Sequence, residues 1–149
     1  MTEPTYHGHC FCGAIRIEAR GAPMFSGYCH CQDCRDWSGA SVTPFVIWPF
    51  EAVTITQGEE QLALFSRVPE TPRGWCERCG GNIGAFRKDA EPPHVATGPH
   101  MFAGFPFAPT MQVFCAEAVI GIDDDLPKYR DIPEALGGSG ELIPDLRSS

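Results

Sequence analysis

Basic residues are scarce in this chain. Eleven Lys and Arg stand against 19 Asp and Glu, a formal net charge of −8 over 149 residues. A nucleic-acid or anionic-membrane surface needs a basic patch, so neither partner is expected. Long apolar runs are missing as well. No stretch approaches the ~20 residues that cross a bilayer, so a soluble protein with no membrane association is expected. The opening Met1-Thr2-Glu3-Pro4-Thr5-Tyr6 is polar. It has no apolar core for a signal peptide, and a reducing, cytoplasmic setting is the expectation. Internal repeats are absent apart from the cysteine knuckles. Uninterrupted segments are short, because Gly 16 and Pro 14 punctuate the chain and disfavour long helices. The length suits one domain, taken as residues 1–136, with Gly137-Gly138-Ser139-Gly140 opening a flexible tail over 137–149.

Cysteine, by contrast, is abundant and ordered. Eight cysteines fall as Cys10-x-Cys12, Cys29-His30-Cys31-x-x-Cys34 and Cys76-x-x-Cys79, with Cys115 alone. An even count permits disulfides. The expected compartment, a length that can bury a core without staples, and the one- and two-residue gaps all favour metal instead. Zinc is the expected ion, and reduced redox cysteines are the main alternative. Zinc–sulfur bonds of about 2.3 Å in a tetrahedron put sulfurs roughly 3.8 Å apart, within reach of a tight Cys-x-x-Cys knuckle.

The clusters differ in character. Cys10-Phe11-Cys12-Gly13 and Cys76-Glu77-Arg78-Cys79-Gly80 each end in a glycine after the last cysteine, where a knuckle turns back. Together Cys10, Cys12, Cys76 and Cys79 make a closed four-thiolate zinc site, and joining them would couple metal binding to folding. Cys29, Cys31 and Cys34 supply three thiolates. Three leave a coordination position for water or a substrate thiol, which makes them the candidate catalytic ligands. His30 lies between ligands and is expected to point away from the metal. Arg35 is read either as a surface residue or as a charge that offsets the thiolates or holds a substrate carboxylate. Cys115 is expected mid-strand as a buried apolar thiol; if it reached the triplet it would close that site.

Strands are expected at Ala14–Ala19, Ser41–Trp48 (with Pro44 marking an edge or bulge), Ala52–Thr56, Gln61–Arg67, Ile83–Arg87, His94–Thr97 and Met111–Glu117. Ala52–Thr56 and Gln61–Arg67 read as a hairpin around Gln57-Gly58-Glu59-Glu60. Short helices are allowed at Asp33–Trp37 and Asp131–Leu136. The class is therefore mainly β. Phe102, Phe105 and Phe107 read as loop residues plugging the β core, with a pocket wall or self-association patch as the alternative. Trp37 and Trp48 are assigned to packing in preference to that pocket. Homo-oligomerisation stays open.

These motifs resemble the glutathione-dependent formaldehyde-activating enzyme family, which also includes centromere protein V. The resemblance rests on Cys10-Phe11-Cys12-Gly13, Cys29 to Arg35, Trp75 to Gly80, and the late Ile122-Asp123-Asp124-Asp125-Leu126-Pro127-x-Tyr129. Asp36 and Trp75 depart from the residues usual there. The resemblance implies a β-tent zinc fold related to zinc ribbons, with one structural zinc on the two knuckles and a second on the triplet. It also implies a carbon–sulfur lyase that condenses glutathione with formaldehyde, with a small thiol as partner. The competing readings are a non-catalytic zinc module for protein or small-molecule recognition and a metal or thiol sensor.

Overall fold

Among residues 2–144, which the computed structural model describes, the chain forms ten strands and one α-helix. In chain order they are β1 (Thr5–His9), β2 (Arg16–Arg20), β3 (Phe25–Cys29), α1 (Gln32–Ser38), β4 (Thr43–Pro49), β5 (Val53–Gln57), β6 (Leu62–Phe65), β7 (Arg73–Cys76), β8 (Asn82–Arg87), β9 (His94–Thr97) and β10 (Gln112–Val113). The protein is mainly β, as its punctuation requires. No helix is long and apolar enough to cross a membrane. The chain divides into two compact units. One is Met1–Phe25 with Val46–Phe107, and the other is Ser26–Phe45 with the chain from Ala108 onward.

Alternation builds the first unit. In β2, Ile17 and Ala19 are buried between exposed Arg16 and Arg20, the period-two burial of a half-covered strand. β2 pairs antiparallel with β1 on one side and β5 on the other. A second sheet runs β4-β9-β8-β7-β6. Trp48 of β4 centres the core. It is wholly buried, its rings stand 5.5 Å from Phe102 and 5.3 Å from Phe105, and its indole N–H donates to Thr97 Oγ1 at 3.1 Å. The Phe-rich segment therefore does plug the core. It lies tight on β1, where the Ala103 amide donates to the His7 carbonyl at 3.0 Å. A Cβ on Gly8 would sit 1.9 Å from the Met101 carbonyl oxygen, so only glycine admits the approach.

The expected hairpin between Ala52–Thr56 and Gln61–Arg67 does not form. Both segments are strands, but β5 joins β2 while β6 joins β7 in the other sheet. Gly58 causes the divergence. At φ +77° it opens a 3-10 turn, Glu59–Gln61, that carries the chain from one sheet to the other.

In the second unit β10 lies parallel to β3, with Gln112 opposite Tyr28 and Val113 opposite Cys29. The last strand is shorter than Met111–Glu117. Phe114 turns to φ +54° and Cys115–Glu117 coil into a 3-10 turn, so Cys115 is buried but not mid-strand. The returning chain takes up the hydrogen bonds. Phe114 and Cys115 amides donate to the carbonyls of Asp131 (2.7 Å) and Tyr129 (3.0 Å). α1 stands where a helix was expected and ends on Gly39, left-handed, with its amide on the Arg35 carbonyl. The second expected helix is a single 3-10 turn, Glu134–Leu136, entered from Pro133. Beyond it the chain is hydrogen-bonded back, Gly140 to Ile132 and Ile143 to Lys128. The last part of the expected tail, residues 145–149, lies outside the described residues.

Candidate metal centres

The first unit brings two distant knuckles together. Sγ atoms of Cys10, Cys12, Cys76 and Cys79 all lie within 4.8 Å of one another. Cys10 and Cys12 are 3.7 Å apart and Cys12 and Cys76 3.9 Å, close to the roughly 3.8 Å edge of a zinc–thiolate tetrahedron. β-structure sets the positions: Cys10 follows β1, and Cys76 ends β7. Gly13 (φ +81°) and Gly80 (φ +77°) turn the knuckles, their amides donating to the carbonyls of Cys10 (3.0 Å) and Cys76 (2.7 Å). Amides slightly further on face the sulfurs: Ile15 N–H reaches Cys10 Sγ at 3.3 Å, and Gly81 N–H reaches Cys79 Sγ at 3.4 Å. Such contacts favour thiolates over thiols.

The second unit gathers Cys29, Cys31 and Cys34, with sulfurs again within 4.8 Å of one another. Cys29 ends β3, Cys31 is the N-cap of α1, and Cys34 lies in its first turn. The Cys34 amide donates to Cys31 Sγ at 3.3 Å, the hydrogen bond a serine or threonine cap would accept. Among the described residues no fourth His, Cys, Asp or Glu atom joins this group. Cys115 and His30 thus both stand outside it. His30 is fully buried, with Nε2 2.9 Å from Gln112 Oε1, and Nδ1 has no hydrogen-bond partner. Arg35 is tied to the protein by two hydrogen bonds. Its Nε donates to the His30 carbonyl and its terminal nitrogen to the Glu117 carbonyl, both at 3.1 Å.

Electrostatics set the clusters apart from ordinary thiols. At Cys10, burial opposes the charge, but the Ile15 amide and hydrogen bonds from Cys12, Cys76 and Cys79 overcome it and bring the thiol down to about 6. Cys12 goes the other way. The Ala14 amide favours its charge, yet burial and the three neighbouring sulfurs push it up to about 11. Four sulfurs at such spacing cannot all ionise together without a cation to neutralise them. In the triplet, hydrogen bonding to Cys31 and Cys34, burial and like-charge repulsion drive Cys29 far upward. Cys115 is raised to about 11, chiefly by burial, which favours the neutral thiol. Either cluster has the donor set for a metal ion such as zinc.

Residues 5–117 match the family described as glutathione-dependent formaldehyde-activating enzyme. The chain belongs to that family. The match spans both cysteine clusters and ends just past Cys115. Comparison with curated proteins finds no match. Among solved structures, a crystal structure of a Rhodobacter sphaeroides protein resembles this family member at a TM-score of 0.55 and 20% identity. The likeness covers 67% of this chain and 90% of that one. At that identity it speaks for the fold alone.

The sequence reading missed the polar groups behind the triplet. Gln112, fully buried, donates through Nε2 to Asp124 Oδ1 at 2.9 Å and to the Ile122 carbonyl at 3.1 Å. Lys128, nearly buried, donates to the same Asp124 Oδ1 at 3.0 Å. Asp124 stands in the acidic Leu-Pro segment, whose sequence marks the family resemblance but not this contact. Nothing in the sequence singles out Gln112.

Proposed function

We propose that the protein is a zinc-dependent carbon–sulfur lyase that joins a small thiol of the glutathione type to formaldehyde. Its structural zinc would be held by Cys10, Cys12, Cys76 and Cys79, and its reactive zinc by Cys29, Cys31 and Cys34. The observation that carries this reading is the asymmetry of the clusters: four protein sulfurs in one, three in the other, with Cys115 and His30 both outside the smaller group. Family membership supplies the reaction class.

The chemistry balances without a redox partner. The thiol sulfur forms a bond to the aldehyde carbon, the carbonyl π bond breaks, and the thiol proton ends on the new hydroxyl oxygen. When bound, zinc at the triplet supplies Lewis acidity that lowers a thiol's pKa and keeps it anionic at neutral pH. The chain's own residues provide the frame. Cys31 and Cys34 are held by the first turn of α1, and Cys29 by its place at the end of β3. Arg35 ties α1 to the carbonyls of His30 and Glu117 and so fixes the loop that carries the three sulfurs.

X-ray absorption on zinc-loaded protein tests the reading. Two zinc ions per chain are expected, one with four sulfurs and one with three sulfurs and a light atom. The second should become four-sulfur when glutathione is added. Exchange of carbon-13 formaldehyde with glutathione, followed by NMR, should be accelerated by the parent and not by Cys31→Ser. Four protein sulfurs at both ions before any thiol is added would sink the proposal.

A further inference from the structure

We propose that Gln112 is the positioning residue of the three-thiolate loop, pinning His30 in the interior so that the sulfurs of Cys29 and Cys31 present together. The inference rests on the reading that the triplet holds a metal. It begins with local geometry. The His30 amide donates to the Val113 carbonyl at 3.1 Å, which continues the parallel ladder of β3 and β10 past Cys29. Cys31 is extended, at φ −67° and ψ 152°. Successive side chains in extended backbone point to opposite faces. His30 therefore lies opposite its two neighbours, and where its ring is held decides where their sulfurs go.

Hydrogen bonding fixes that ring. The Gln112 amide nitrogen faces two acceptors, the Ile122 carbonyl and Asp124 Oδ1, so it must be the NH2 group. Oε1 then faces His30 and can only accept. His30 Nε2 therefore donates to Oε1 at 2.9 Å, while Nδ1 has no hydrogen-bond partner, so Gln112 alone holds the ring by a hydrogen bond. Behind Gln112 the chain of contacts is closed. Lys128 Nζ donates to Asp124 Oδ1, the Asp124 carbonyl and the Leu126 carbonyl, at 3.0, 2.8 and 3.1 Å, which uses all three of its protons. The Leu126 amide adds a further bond to Asp124 Oδ1 at 3.1 Å.

A connected, largely buried network of this kind holds one geometry. Its net stability is often no greater than that of apolar side chains of the same volume, so what it contributes is orientation. Partners that orient metal ligands from behind commonly change metal affinity by about 10–100-fold when removed. The four-thiolate cluster has no share in this network and serves as a control within the same molecule.

Cobalt(II) titration of the full chain against a competing chelator tests the idea, with Gln112→Met as the apolar, similarly sized variant. Parent protein should take up two cobalt ions. The variant should keep the four-thiolate affinity, bind about 10–100-fold more weakly at the triplet, and show a shifted ligand-field band there alone. Asp124→Asn keeps the side-chain shape but removes the charge behind the Gln112 amide. It should give a smaller loss at the triplet, and it stands in if Gln112→Met does not fold. Triplet affinity unchanged in a folded variant, or equal losses at both sites, would overturn the inference while leaving the metal reading intact. A parent that binds a single ion at the four-thiolate cluster would overturn both.

Discussion

Two glycines show how much a single residue's surroundings matter. Gly13 and Gly58 both stand at positive φ, +81° and +77°. A Cβ on Gly13 meets nothing within 4 Å, whereas one on Gly58 would fall 2.1 Å from the Ala14 carbonyl oxygen. Gly13→Ala should therefore cost only the left-handed backbone penalty, about 1–2 kcal/mol. Gly58→Ala must also move the backbone at the crossover between the sheets and should cost clearly more. Denaturant midpoints of the two variants give the comparison, and a Gly58→Ala protein as stable as Gly13→Ala would refute the packing argument. The grouping of the cysteines is legible because their spacing is local: Cys10-x-Cys12 and Cys76-x-x-Cys79 announce themselves. His30 and Gln112 are not. They lie 82 positions apart in sequence, and a buried amide leaves no local pattern. Cys115 was legible as buried, but not as the start of a 3-10 turn, since the hydrogen bonds that bend the chain come from Tyr129 and Asp131.

Strands with apolar alternation or a β-branched and aromatic run are legible in the sequence, whereas β1, β3 and β7 are not. β2, β5 and β8 carry Ile, Val and Ala at period two, and β9 buries Val95 and Thr97. β1 (Thr5–His9) and β3 (Phe25–Cys29) carry His, Gly, Ser and Tyr instead, and are strands because neighbours pair with them. The supposed hairpin failed for the same reason: the strands were visible, but their partners were not. The segment around Asp124 is an element whose order depends on charge. Burial raises the Asp124 carboxyl, but hydrogen bonds from Lys128, the Leu126 amide and Gln112 outweigh it and hold it below its ordinary 3.8. A depressed folded pKa contributes stability that is present above the unfolded value and lost as pH falls through the folded one. Lys128 is the cation facing Asp124, and the Cys115 thiol, raised to about 11, stays neutral throughout this range. Asp124→Asn should thus be less stable than the parent at pH 7 by about 1–2 kcal/mol, the lower part of the range for hydrogen bonds to a charge because the carboxylate is partly wet. The gap should narrow steadily below about pH 4. Acid release of metal from the four-thiolate cluster, which has no share in the Asp124 network, acts on both proteins alike and cancels in the difference. A gap constant from pH 7 to 3 would mean that the carboxylate charge carries no stability here.

At the scale of the whole molecule, each compact unit contains one cysteine cluster, and the clusters close very different lengths of chain. Cys12 and Cys76 are 64 positions apart, so a metal at the four-thiolate site ties the start of the first unit to its middle. The triplet spans only Cys29 to Cys34 and closes almost nothing. Metal affinity should therefore appear as folding stability at the first cluster and scarcely at the second. Cys76→Ser leaves a buried, incomplete ligand set beside Ile15 and Ile83 in the core and should cost several kcal/mol, a fall in melting temperature of about 10 °C or more. Cys31→Ser should behave otherwise. Serine is itself a preferred N-cap and can accept the Cys34 amide in place of the thiol, so α1 keeps its start. That variant should melt within a few degrees of the parent while losing one of two zinc ions and the acceleration of thiol–formaldehyde exchange. Zinc content by mass spectrometry under native conditions, taken with the melting curves, separates the cases. A Cys31→Ser protein that unfolds as readily as Cys76→Ser would show that the triplet is a structural clamp, and the chemistry would then have to be sought elsewhere in the chain.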